Sequence, residues 1–333
     1  MQRRKFCLAT AALLAAPAFA ARSSTAASFA DLNPPDIRTA GIRIIPVVGG
    51  KYKVWTKRVG PPGDDGLKVL LLHGGPGFNH EYLECFEDFL PQAGITFYYY
   101  DQLGSSYSDQ PNDPALWTLP RFVTEVEEVR QGLGLNHFVL FGHSWGGVLA
   151  LEYALTYQRH LRGLVISNMT AGMQSYLKHT SALKALIAPK NRSRLAELEA
   201  AGDYDNPDYE RIMMEDAYPQ MICRLKPWPE PVTRSFAHAN LKIYNQMQGK
   251  SEFLVTGNLK EWERWDRLHE ITIPTLTIGA EHDEMAPDDM RRMARLLARG
   301  RNLYCPNGSH MAMWDDQRVY FDGLLGFLST LQR

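Results

Sequence analysis

Residues 138–150 read Phe-Val-Leu-Phe-Gly-His-Ser-Trp-Gly-Gly-Val-Leu-Ala. An apolar run, Phe138 to Phe141, leads into Gly142-His143-Ser144-Trp145-Gly146. An Ala/Leu-rich segment follows through Leu149, Leu151 and Ala154. The order is strand, sharp turn, helix, and the turn spells G-x-S-x-G. A serine at the tip of so tight a turn has strained backbone angles, and its neighbours crowd both strand and helix. Glycine at 142 and 146 removes the Cβ atoms that would collide there. Ser144 Oγ is pushed out above the sheet edge, beside a helix N-terminus that favours developing negative charge. The stretch therefore reads as a nucleophile on its turn.

The flanking sequence supplies a sheet for that turn to stand on. Segments 42–47 and 51–59 run apolar or alternate around Gly49-Gly50, as a β-hairpin does. Segment 68–72 is a short apolar strand that ends at His73-Gly74-Gly75-Pro76-Gly77, and 95–100 is another that ends at Asp101-Gln102. Val123, Val126, Val129 and Leu133 have helical spacing, and 161–166 is the next strand. This alternation predicts an α/β fold, with a mostly parallel sheet and helices on both faces.

Over 171–268 strong strands disappear. Met, Tyr, Trp and charged residues recur at helical spacing, broken by Pro207, Pro219, Pro227, Pro229 and Pro231. We read this as a helical cap inserted into a core formed by 41–170 and 269–333. The sheet resumes at 274–278, followed by a helix over 289–299, a strand at 302–305 and a closing helix over about 316–331.

Bulk properties narrow the function classes. The chain has 333 residues, 45% hydrophobic and 22% charged, with a net charge of -1. That balance gives no case for nucleic acid or an anionic membrane as partner. At the N-terminus, Gln2-Arg3-Arg4-Lys5-Phe6-Cys7-Leu8 precedes a short apolar run, and Ala18-Phe19-Ala20 fits a small-x-small processing site. Residues 1–20 thus read as an export signal of twin-arginine type, implying a periplasmic or secreted protein without stable membrane insertion. Residues 21–40 read as a flexible lead-in. Cys7, Cys85, Cys223 and Cys305 have no metal-type spacing. An exported location permits a disulfide, but the three that remain after processing cannot all pair, so at least one is expected as a buried free thiol.

A serine hydroxyl needs a base, and the base needs an orienting acid. With the serine on a strand-to-helix turn, the chain order is Ser, acid, His, each after a strand. Asp283 follows the strand at 274–278, with Glu281 and Glu284 as rival acids, and His310 follows the last strand in a Gly-Ser-His loop. His73 sits where an imidazole braces a turn. His143 and His282 adjoin the nucleophile and the acid, so their side chains should point elsewhere. The expected triad is Ser144, Asp283 and His310. The oxyanion needs two amide donors. Trp145 follows the nucleophile, and Gly75 lies in the glycine-rich loop after the third strand. No metal or organic cofactor is implied.

His73-Gly74-Gly75-Pro76-Gly77, Asp101-Gln102-Leu103-Gly104 and Gly142-His143-Ser144-Trp145-Gly146-Gly147 together resemble the proline iminopeptidase family of α/β-hydrolase serine peptidases. Pro227-Trp228-Pro229-Glu230-Pro231, the stretch from Glu252 to Leu259, Asp283-Glu284, and Gly308-Ser309-His310 with Met313-Trp314 add to the likeness, which spans residue 42 onward. The resemblance implies an α/β-hydrolase fold. It implies an aminopeptidase that releases an N-terminal residue, often proline, from short peptides, amides or arylamides. It also implies that two carboxylates, Glu252 in the cap and Glu284 beside the catalytic acid, hold the free α-amino group. An amino-acid amidase or an esterase or lactonase on the same scaffold is the competing expectation. One departure is Ser105-Ser106-Tyr107, where the family often carries a further glycine near 106.

Overall fold

The computed structural model describes residues 39–63 and 66–332. The expected signal over 1–20 and most of the lead-in over 21–40 lie outside these residues. Eight strands form one sheet in the order β1-β2-β4-β3-β5-β6-β7-β8. They are β1 (Ile42–Val47), β2 (Tyr52–Val59), β3 (Lys68–Leu72), β4 (Thr96–Tyr100), β5 (Phe138–His143), β6 (Leu161–Ser167), β7 (Thr275–Ala280) and β8 (Gly300–Cys305). β1 and β2 pair antiparallel, as do β2 and β4; every other pairing is parallel. β5 lies between β3 and β6 and is buried along its whole length. Burial on both faces explains why it is written as a continuous apolar run rather than an alternating one.

Successive strand residues serve opposite layers. Leu70 and Leu72 face the cluster that holds α1 (Leu119–Leu133) and α2 (Trp145–Tyr157); Val69 and Leu71 face the cluster with Phe86 and Phe321. α1 begins after extended Thr118 with Pro120 in its first turn. It ends at Gly134, whose φ of 67° lets its amide reach back to Arg130 and Gln131. It therefore lies a little earlier than its apolar spacing alone suggests. Over 289–299 the same correction applies. The helix runs Pro287–Leu296, because Pro287 starts it and Leu297 is already extended toward β8.

Between β6 and β7 the described chain forms helices: α3 (Met173–Leu183), α4 (Pro189–Ala201), α5 (Pro207–Ile212), α6 (Tyr218–Met221), α7 (Glu230–Ala237) and α8 (Leu241–Met247). A π-helical turn, Met213–Ala217, joins α5 to α6. The chain closes with α9 (Pro287–Leu296), α10 (Ala312–Asp315) and α11 (Gln317–Ser329). One element had no sequence signal, a 3-10 segment at Glu81–Asp88. It carries Tyr82 and Phe86 into the core and receives Arg234 from α7 through Glu81 at 2.8 Å.

Candidate active site

The turn after β5 brings strand and helix closer than any side chain would allow. A Cβ at Gly142 would lie 2.1 Å from Gly146 O, and one at Gly146 would lie 2.2 Å from Leu72 O. Ser144 sits at the tip with φ 56° and ψ −127°, a backbone strained for a residue with a side chain. Its amide donates to Ser167 O at 3.0 Å, tying the turn to β6. Trp145 opens α2, so its amide has no acceptor within that helix.

His310 and Asp283 meet from the loops after β8 and β7. His310 Nδ1 donates to Asp283 Oδ1 at 2.8 Å, and both side chains are buried. Asp283 Oδ2 accepts from Asn168 Nδ2 at 2.7 Å, so each carboxylate oxygen has a fixed partner. Glu281, by contrast, is exposed and takes the Tyr304 hydroxyl at 2.5 Å. The cap holds the histidine loop from above. The amides of His310 and Met311 donate to Met221 O and Ile222 O at 2.9 and 2.8 Å.

His143 points away from the Ser144 hydroxyl and lies beneath His310, with ring centroids 4.7 Å apart. Its Nε2 donates to His310 O at 2.9 Å, which leaves Nδ1 to accept from Tyr82 Oη at 3.0 Å. Tyr82 Oη accepts in turn from the Gly74 amide at 2.6 Å. Burial, then the neighbouring His310, pushes His143 well below the usual imidazole range. It remains neutral, and one chain of hydrogen bonds runs from the glycine-rich loop to the His310 loop. His73 braces that loop: Nδ1 donates to Gly74 O at 2.8 Å and Nε2 accepts from the Gln102 amide at 3.0 Å. Gln102 Oε1 takes Trp145 Nε1 at 2.8 Å, which fixes the indole that follows the serine.

Ser144, His310, Gly75, Trp145, Glu252 and Glu284 line one cavity of about 660 Å³. Glu284 Oε1 lies 3.4 Å from His310 Nε2, the nitrogen left free by Asp283. The Tyr176 hydroxyl reaches Glu252 Oε2 at 2.9 Å and Glu284 Oε2 at 3.3 Å, so it sits between the two carboxylates. Tyr218 and Tyr244 also reach Glu252. Burial keeps these three phenols neutral well past their usual range, and they act as donors. Burial also pushes the Glu284 carboxyl up. For His310 burial acts the other way, but the carboxylates of Glu284 and Asp283 outweigh it and raise the imidazole. The two groups are therefore coupled: the Glu284 carboxylate favours the protonated imidazole, and the imidazolium favours the ionised carboxyl.

Every residue expected at the site thus lies on the cavity wall or, for Asp283, directly behind it. Four supporting residues had no sequence signal: Asn168, Tyr82, Tyr176 and Tyr244. The cysteines Cys85, Cys223 and Cys305 are free and buried, so the permitted disulfide does not form among them. Among the described residues no group of His, Cys, Asp or Glu side chains is arranged to hold a metal, and no helix is long and apolar enough to cross a membrane.

A family model described as the alpha/beta hydrolase fold matches residues 68–317. A proline iminopeptidase of Flavobacterium johnsoniae is 49% identical over 285 residues, covering 85% of this chain and 95% of that protein. The chain belongs to the proline iminopeptidase family of α/β hydrolases. Solved structures agree. The proline iminopeptidase of Mycobacterium smegmatis superposes with a TM-score of 0.79 at 30% identity, over 87% of this chain and 98% of that one. The structure of VinJ gives 0.82 at 32% identity, over 90% and 100%. In that fold Ser144 follows β5, and Asp283 and His310 follow β7 and β8.

Proposed function

We propose that the protein is a serine aminopeptidase, releasing an N-terminal residue such as proline from short peptides, amides or arylamides through an acyl-enzyme. One observation carries this reading: two carboxylates, Glu252 and Glu284, share a tyrosine and face the cavity beside His310. A prolyl N-terminus is a secondary ammonium with two N–H donors, and two carboxylates match it in charge and number. A neutral ester or lactone would leave Glu252, held only by tyrosine hydroxyls, without a cation in a largely buried chamber.

The ammonium binds between Glu252 and Glu284, drawing Glu284 from the imidazole and setting the carbonyl over Ser144. His310 Nε2 takes the Ser144 proton as Oγ attacks the carbonyl carbon. Asp283 holds the imidazole through Nδ1 and stabilises its positive form. The amides of Gly75 and Trp145 receive the oxyanion, each worth ~10²–10³ in turnover. The imidazolium then gives its proton to the departing amine. Water, deprotonated by the same histidine, attacks the acyl-serine and frees the amino acid.

A prolyl arylamide and its N-acetyl counterpart provide the test, with wild type and Ser144→Ala. The free-amine substrate should be cleaved and the acetylated one not, and Ser144→Ala should be folded and inactive. Cleavage of both at similar rates would remove the amine-anchor reading; an active Ser144→Ala would remove the nucleophile.

A further inference from the structure

The two glutamates account for only part of the cavity wall. At about 660 Å³ it falls among pockets that hold a drug-sized ligand, about 300–1,000 Å³. A single amino-acid residue leaves most of it empty. Beyond the tyrosines around Glu252 the wall stays aromatic, with Phe78 beside Tyr244 and Phe236 beside Tyr218. Phe78, three residues beyond Gly75, packs edge-on against Phe236 of α7 at 5.0 Å, and Trp228 lies 5.1 Å from the same ring. The apolar lining continues to the surface at Met214 and Leu241, which are 39% and 60% exposed. Large apolar side chains open to solvent at the mouth of a pocket mark a surface that meets an apolar ligand.

The charges on the wall have one sign in excess. Asp205, Glu210, Glu252 and Glu284 all line the cavity. Among the described lining residues Lys250 is the only lysine or arginine, and its ammonium is 2.6 Å from Asp205 Oδ2. A carboxylate entering here would meet like charge and aromatic rings, with no cation that is not already shared.

We infer that the substrate is charged at its amino end alone: an aminoacyl amide whose leaving amine is apolar and uncharged, not a short peptide ending in a free carboxylate. This rests on the aminopeptidase reading above. The experiment compares kcat/KM for prolyl-leucine and prolyl-leucinamide, with a neutral ester as control. The amide should exceed the free acid by at least about tenfold. Met214→Lys, which puts an ammonium on the exposed rim, and Glu210→Gln, which removes an exposed carboxylate, should each raise the acid relative to the amide several-fold. Equal rates on acid and amide in the wild type would overturn the inference while leaving the aminopeptidase intact. Loss of both substrates with the ester still hydrolysed would overturn the aminopeptidase reading and this inference with it.

Discussion

Glu284→Gln separates two jobs proposed for one carboxylate, anchoring the amine and stabilising the imidazolium. Glu284 Oε1 stands 3.4 Å from His310 Nε2, close enough to stabilise the imidazolium strongly. Unit charges at that separation attract by about 1.2 kcal/mol in a water-like medium and about 5 kcal/mol at an effective dielectric of about 20. At about 1.4 kcal/mol per pK unit, removing the charge should lower the histidine's apparent pKa by roughly one to three and a half units. Both side chains are buried, which excludes the water-like limit. The sign follows from the role of the imidazole. As the proposed base, His310 works only when unprotonated, so activity should rise with pH as the imidazole loses its proton. Taking away the anion that retains the proton moves that rise to lower pH. The assay is kcat/KM against pH on a small neutral ester, whose binding does not need the amine anchor. The acid limb should shift down by at least about one unit, while prolyl arylamide hydrolysis falls at all pH values. An acid limb that stays in place would refute the claim that the Glu284 carboxylate stabilises the protonated imidazole.

Two further outcomes bear on the frame around the chemistry. Gly146→Ala puts a methyl 2.2 Å from Leu72 O and should destabilise the fold by about 1–3 kcal/mol, read as a lower midpoint of chemical or thermal unfolding; an unchanged midpoint would show that the turn relaxes freely. Asn168→Ala removes the 2.7 Å bond to Asp283 Oδ2 and should lower kcat about tenfold with little change in KM; a pure KM effect would assign Asn168 to substrate binding instead.

The parts of the site that could be read from residues were those with local rules. G-x-S-x-G is a steric requirement of one turn, and the structure shows both glycines within about van der Waals overlap of backbone that a methyl would strike. A strand buried on both faces must be apolar throughout, which made β5 the centre of the sheet. Acid and histidine follow strands in a fixed order. What stayed hidden depends on convergence of distant segments. Tyr82, Asn168 and Tyr176 are ordinary residues in sequence, and each matters only because a loop 61, 115 or 108 positions away folds onto it. His143 illustrates the boundary. Its adjacency to Ser144 correctly turned it from the hydroxyl, but nothing local could place it under a loop 167 residues further on. In the cap, the bounds of α7 were blurred because it has no side-chain N-cap and is pinned by the long-range bond from Arg234 to Glu81.

The two main-chain bonds from His310 and Met311 to Met221 and Ile222 have an evolutionary corollary. Half of the histidine's seat is supplied by the cap, not the sheet. Lids therefore cannot be exchanged between relatives as independent modules; a donor lid must carry its own 221–222 stretch in register, or the recipient loses the base together with the old specificity. New substrate ranges in such a scaffold should arise by substitution along the aromatic wall more readily than by wholesale recombination.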